Sequence, residues 1–289
     1  MKLIVRAVIV AAAFLTQPVS SQEIVIDKVD FAIPGTSLTL LGEVRIPKVQ
    51  GILPTVLILH SAGGIDGTGI QYAKALNERG IATMELNFLT NADWFQNAAV
   101  TKVAILYLSR KYGLDPKRFG SMGFSHGAMV SLVNATEASM KKHAQENPVR
   151  FRAHASLYPL CGVMSDAHES EFQLNLGRVA TSGKPNFWRG MFTTMTGAPV
   201  LILAGADEDY EDAPVECPKL LGLINSSKPN VASLTVYGGA GHGWDVPNGR
   251  TYTDTYSRKN GTIRHYRSQP TYEKSIKAVV EFFDRELKN

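Results

Sequence analysis

Residues 118–135 read RFGSMGFSHGAMVSLVNA, and two periodicities meet inside them. Residues 118–124 form a short apolar run spaced by glycines, as in a strand buried on both faces. From His126 onward the chain is small and apolar, with the character of a buried helix. Ser125 stands at the junction, between Gly123 and Gly127. This is the G-x-S-x-G pattern of a strand–turn–helix elbow, which strains the serine backbone and lifts its hydroxyl above the sheet. The two glycines let strand and helix approach without a Cβ clash. The helix start also aims N–H groups and the positive dipole end at a developing oxyanion.

A serine hydroxyl needs a base to become a nucleophile. Working outward, the chain offers His242 in Gly239-Ala240-Gly241-His242-Gly243-Trp244, directly after a predicted strand. Between serine and histidine an acid should orient the imidazole. The apolar run 200–204 ends in Gly205-Ala206-Asp207-Glu208-Asp209, at the carboxyl end of a strand, where α/β sites are built. The residues alone leave Asp207, Glu208 and Asp209 open. The order serine, acid, histidine is that of α/β-hydrolases. The oxyanion donors expected are the N–H of His126 and one from the loop His60-Ser61-Ala62-Gly63-Gly64, for which Ala62 is favoured. The side chains of His60 and His126 are read as structural.

Strand-like segments fall at 23–31, 37–46, 55–60, 81–87, 118–124, 151–158, 199–204 and 231–237. The first two alternate apolar and polar residues and suit an antiparallel hairpin at a sheet edge. Helical patterns intervene at 71–79 and 93–112, and 271–287 closes the chain as an amphipathic helix. Alternation of this kind predicts an α/β fold, a doubly wound, mainly parallel sheet with helices on both faces. Residues 165–197 and 245–270 fit neither period and contain many aromatics, as site-covering loops do. Trp188, Arg189 and Trp244 are candidates to shape a pocket.

The chain has 289 residues, 44% hydrophobic and 19% charged, with net charge +4. Two of the positive charges, Lys2 and Arg6, precede the apolar run 7–15, and small residues follow around Ser21. That pattern reads as a signal peptide over 1–21 rather than a membrane anchor, which needs about 20 apolar residues. The expected mature chain, 22–289, is one periplasmic or secreted domain without a membrane span. Its cations are scattered, which argues against nucleic acid as a partner. Cys161 and Cys217 allow one intramolecular disulfide, and export favours it over two buried thiols.

Three rival readings are weaker. The turn Gly63-Gly64-Ile65-Asp66-Gly67-Thr68-Gly69 follows a strand, but it lacks the G-x-G-x-x-G spacing of a nucleotide-dependent oxidoreductase. A non-catalytic binding protein on the same frame has no need of serine, acid and histidine together. A peptidase is ranked below an esterase, because no separate region restricts access.

The segments LILHSAGG, LDPKRFGSMGFSHGAMV, Tyr158-Pro159-Leu160-Cys161, LILAGADEDY and GAGHGWD resemble the dienelactone hydrolase family over most of residues 54–245. The resemblance implies a single α/β-hydrolase domain, no metal or organic cofactor, and a small ester or lactone as substrate. It also implies Glu208 as the triad acid, at the position of the family's aspartate. The name-giving members carry cysteine at the elbow where this chain has Ser125, which favours ester over lactone chemistry.

Overall fold

Every residue of the segment Thr55–Leu59 is fully buried, and all but Thr55 are apolar. Successive strand side chains point to opposite faces, so such a run requires a helical layer on each side of the sheet. The computed structural model, which describes residues 23–33, 35–88, 93–143, 149–169 and 188–288, has that arrangement. The expected signal peptide lies outside the described residues, as does most of the predicted loop 165–197.

The main sheet comprises β1 (Ile24–Ala32), β2 (Thr39–Pro47), β3 (Thr55–Leu59), β4 (Ala82–Asn87), β5 (Phe119–Phe124), β6 (Ala153–Leu157), β7 (Val200–Gly205) and β8 (Ala232–Tyr237). Their spatial order is β1-β2-β4-β3-β5-β6-β7-β8. The first two pairings are antiparallel and the other five parallel. The helices are α1 (Thr68–Glu78), α2 (Trp94–Tyr112), α3 (His126–Asn134), α4 (Glu137–His143), α5 (Cys161–Glu169), α6 (Ala213–Ser227) and α7 (Gln269–Lys288).

Alternate residues of β3 feed two cores. Val56 and Ile58 pack with Tyr72 and Leu76 of α1 and with Phe282 and Phe283 of α7. Leu57 and Leu59 join Trp94 and Ile105 of α2, Met129 of α3 and Leu220 of α6. Each large apolar side chain so buried contributes about 2 kcal/mol. Helix α7 reaches the sheet through Gly120, where a Cβ would lie 2.5 Å from Cε1 of Phe283.

The chain passes from β3 to β4 on one side and then to β5 on the other. That reversal between β3 and β5 opens a crevice beyond their carboxyl ends, the place where open α/β sheets bind ligands. Ser61 and Ser125 follow those two strand ends.

Two predicted loops contain structure. The first begins inside α5, and its far end packs Trp188, Met191 and Phe192 into the core. The second holds a hairpin of β9 (Arg250–Thr253) and β10 (Thr262–His265). Four-residue strands are too short to establish a period, which is why sequence reading passed over them.

The two cysteines are joined, with Cα atoms 4.9 Å apart. Cys161 opens α5 and Cys217 lies within α6. The bond therefore clips together the two helices that follow β6 and β7.

Candidate active site

Ser125 caps α3 with φ 50° and ψ −111°, a left-handed backbone uncommon for a residue with a side chain. Close packing enforces it. A Cβ on Gly123 would lie 2.2 Å from the carbonyl carbon of Gly127, and one on Gly127 would lie 2.2 Å from the Leu59 oxygen. Helix α3 thus sits directly against β3 and β5. The Ser125 N–H donates to the Leu157 carbonyl at 3.0 Å, which holds the elbow to β6.

His242 arrives from the loop after β8 and is 1% exposed. Backbone contact fixes that loop to the end of β7. The Asp207 N–H donates to the Ala240 carbonyl at 2.9 Å, and a Cβ on Gly205 would lie 2.3 Å from the same oxygen. His242 Nε2 is 2.9 Å from Ser125 Oγ. Its Nδ1 is 2.8 Å from Oε1 and 3.0 Å from Oε2 of Glu208. A carboxylate only accepts, so Nδ1 carries the proton and Nε2 is left to accept from the serine hydroxyl.

The three adjacent acids have separate surroundings. Glu208 is 2% exposed against His242. Asp209 faces away and pairs with Arg264 of β10 at 2.8 Å, and that guanidinium holds its carboxyl below the usual carboxylate range. Asp207 is exposed. A strand-end turn points successive side chains in different directions, which sequence spacing does not resolve.

The expected oxyanion donors border the same serine. His126 is the first residue of α3, so its N–H has no acceptor within the helix. Ala62 is exposed beside Ser125 in a cleft of about 360 Å³. Its loop is closed by the Gly64 N–H donating to the Ser61 carbonyl at 3.1 Å. The imidazoles nearby are structural. His60 contacts the Ser61 carbonyl through Nδ1 at 2.6 Å and stacks on Phe88. His126 Nε2 accepts from Asn97 at 3.1 Å. Burial pushes the His126 ring down to about 4, so it stays neutral.

Several residues around the site were not singled out from the sequence. Tyr158, also at positive φ (43°), lays its ring edge against His242 with centroids 4.9 Å apart. Its hydroxyl donates to Asp245 at 2.7 Å, and Tyr72 donates to the other carboxylate oxygen at 2.7 Å. Burial pushes Asp245 up to about 6, opposed by the two tyrosine hydrogen bonds. His265 borders the cleft and is pushed down to about 3, first by burial and then by His242 and Arg250. Arg250 donates to its Nδ1 at 3.3 Å, so its Nε2 donates to Tyr252 at 3.1 Å. Tyr252, Tyr210 and Asp254 continue the chain at 2.8 Å per step. The only sequence signal for this wall was the aromatic content of 245–270.

The tryptophans expected at a pocket are elsewhere. Trp244 is fully buried, with Nε1 donating to Ser275 of α7 at 3.2 Å and its ring against Tyr158 and Tyr237. Trp188 packs on Trp94, 5.0 Å between centroids, and Arg189 is exposed on that turn. All three belong to core or surface, because the apolar area of an indole is better buried than left lining a small polar cleft.

Among the described residues, Cys161, Glu211 and Cys217 form the one group with metal-ligand proximity. Its sulfurs are spent in the disulfide and supply no thiolate.

Neither a family model nor a curated protein matches the sequence. Solved structures match its fold. An esterase from Rhizomucor miehei aligns with TM-score 0.63 at 15% identity, over 92% of this chain and 85% of that one. Thermogutta terrifontis esterase 2, phosphoramylated by tabun, aligns with TM-score 0.62 at 13% identity, over 94% and 97%. A dienelactone hydrolase-like promiscuous phosphotriesterase from metagenomic libraries aligns with TM-score 0.59 at 15% identity, over 91% and 98%. The chain has the α/β-hydrolase fold. On that fold the elbow, the turn after β7 and the loop after β8 meet above the sheet, and they carry Ser125, Glu208 and His242.

Among the described residues no helix is long and apolar enough to cross a membrane.

Proposed function

We propose that this protein is a serine hydrolase that cleaves a small carboxylic ester through Ser125, His242 and Glu208. The observation that carries the reading is the single buried imidazole bonded to Ser125 Oγ on one side and to the Glu208 carboxylate on the other. His242 Nε2 takes the serine proton as Oγ adds to the substrate carbonyl carbon. The carbonyl oxygen becomes an oxyanion, met by the N–H groups of His126 and Ala62. Each such donor is worth about 3 kcal/mol in the transition state. The imidazolium then protonates the departing alcohol as the ester C–O bond breaks, leaving an acyl group on Ser125. Water, deprotonated by His242, attacks that acyl carbon, and collapse releases the acid and restores the hydroxyl.

Glu208 keeps the proton on Nδ1 and stabilises the transient positive charge. Burial of the His242 and Glu208 side chains away from bulk water strengthens their interaction. The open cleft of about 360 Å³ suits a small substrate. The esterase neighbours support this substrate class, and the serine at the elbow favours esters over the lactones of the family it resembles.

We further read residues 1–21 as a signal peptide and 22–289 as one exported hydrolase domain, to which a disulfide is suited. The test is a chromogenic ester panel of varied acyl length, with lactones and thioesters, on wild type and Ser125→Ala. The reading expects ester turnover in the wild type and almost none in the variant. Equal rates would refute it, and a wild type inert on the whole panel would favour a binding protein on a hydrolase frame.

A further inference from the structure

Helix α1 covers only part of the sheet face beneath it. In antiparallel pairing, opposite residues share a face. The register sets Asp30, Leu41 and Asn87 in one row, and Lys28, Glu43 and Glu85 in the next. These rows floor a cavity of about 630 Å³, roofed by Ile65, Gly67 and Ile70 from the start of α1 and the loop before it.

Glu85 is the residue here that folding alone does not explain. It is 8% exposed, and among the described residues its carboxylate has no hydrogen-bond partner. Gly69 makes space for it, since a Cβ there would lie 2.1 Å from Oε1. Directly across the strand pair stands Glu43, and like charges so placed are destabilising. Arg45 pairs with Glu43 and, among the described residues, forms no ion pair with Glu85. Lys28 is exposed two strands away, about 10 Å at the backbone. Burial first, then Asp66 and Glu43, push the Glu85 carboxyl up to about 7, with Arg45 pulling the other way. An unpaired buried acid costs stability, and rule-breaking of this kind concentrates at functional sites.

We propose that the cavity binds a small organic cation, an ammonium group on a short apolar chain, with Glu85 as its counter-ion and Leu41, Ile65 and Ile70 around the chain. Charge complementarity selects the cation. The carboxylates of Asp30, Glu43, Asp66 and Glu85 outnumber the two nearby cations, Lys28 and Arg45, and only Glu85 is sunk in the floor. The site is distinct from the Ser125 cleft but shares a loop with it. Asp66 and Thr68 border the cleft beside Ser125, whereas Ile65 and Gly67 border the cavity.

Isothermal titration with n-hexylammonium chloride at pH 8, with 1-hexanol as the uncharged match, tests the proposal. Hexylammonium is expected to bind, with 1-hexanol about tenfold weaker and Glu85→Gln about tenfold weaker for the amine. Leu41→Lys, at a rim position 53% exposed, should abolish amine binding, and thermal midpoints no lower than that of the wild type would show both variants folded. No binding in the wild type, equal binding of amine and alcohol, or a Glu85→Gln variant that binds like wild type would each overturn it.

Discussion

Gly127→Ala probes the elbow without touching a reacting group. The added Cβ would meet the Leu59 oxygen at 2.2 Å, the Leu59 carbonyl carbon at 2.7 Å and the His60 oxygen at 2.7 Å. Ordinary carbon–oxygen contact needs more than 3 Å, and these are backbone atoms of a central strand that has no free side to move toward. Helix α3 must therefore retreat from β3 by roughly 1 Å, a strain that overpacking measurements put at about 1–3 kcal/mol. In a chain of this size that lowers the melting midpoint by about 2–6 °C. The retreat carries Ser125 Oγ away from His242, and the His126 N–H away from the carbonyl it should meet. A misplacement of about 1 Å at reacting atoms costs on the order of 100-fold in rate. Circular dichroism melting and p-nitrophenyl acetate turnover on the same preparation give both numbers. A variant with wild-type midpoint and wild-type kcat would show that the elbow is not closely packed and that its geometry does not set the rate.

Three further outcomes are expected. Glu208→Gln should lower kcat by orders of magnitude, whereas Asp209→Asn should cost mainly stability through the Arg264 contact; steady-state kinetics on both variants distinguishes them, and the reverse pattern would move the acid. Reducing or removing the Cys161–Cys217 bond, which spans 56 positions in the sequence, should cost about 4 kcal/mol in the chain-entropy view, read from the denaturant midpoint of Cys161→Ser/Cys217→Ser against wild type. Glu211 is pushed up from 4.5 to about 8, first by burial and then by Glu208. Folding therefore tightens its hold on the proton, so the Glu211 contribution to stability falls as pH rises from about 4.5 to about 8. Glu211→Gln should remove that contribution, gaining up to about 5 kcal/mol on wild type across the window; parallel pH–stability curves for the two proteins would contradict it.

The parallel sheet was legible because β3, β5 and β7 are short runs without a charged residue, dominated by apolar side chains and glycine, and strands covered on both faces read that way. Gly-x-Ser-x-Gly was informative for a related reason: both glycines are fixed by backbone contacts, Gly123 with Gly127 and Gly127 with Leu59. The surroundings of Ser125 and His242 were less readable. Asp207, Glu208 and Asp209 share charge and neighbourhood, and only the curl of the turn separates them. Trp244 looked like a pocket residue from its place beside His242, but the chain reverses there and delivers it to α7. Along α2 the apolar stripe hid Lys102, which is 1% exposed with its ammonium donating to the Ser139 carbonyl and hydroxyl at 3.0 Å. Partners remote in sequence made that burial possible, as they did for Tyr72, Tyr158 and Asp245. No local pattern encodes such meetings.

The central claim is that Ser125 is a nucleophile activated by His242. Incubating the purified protein with a fluorophosphonate probe, followed by intact mass and peptide mapping, tests it most directly. The account expects one adduct, on the peptide carrying Ser125, formed rapidly in wild type and slowed by orders of magnitude in His242→Ala. A wild type that takes up no probe, or one modified at another residue while Ser125 stays free, would contradict it.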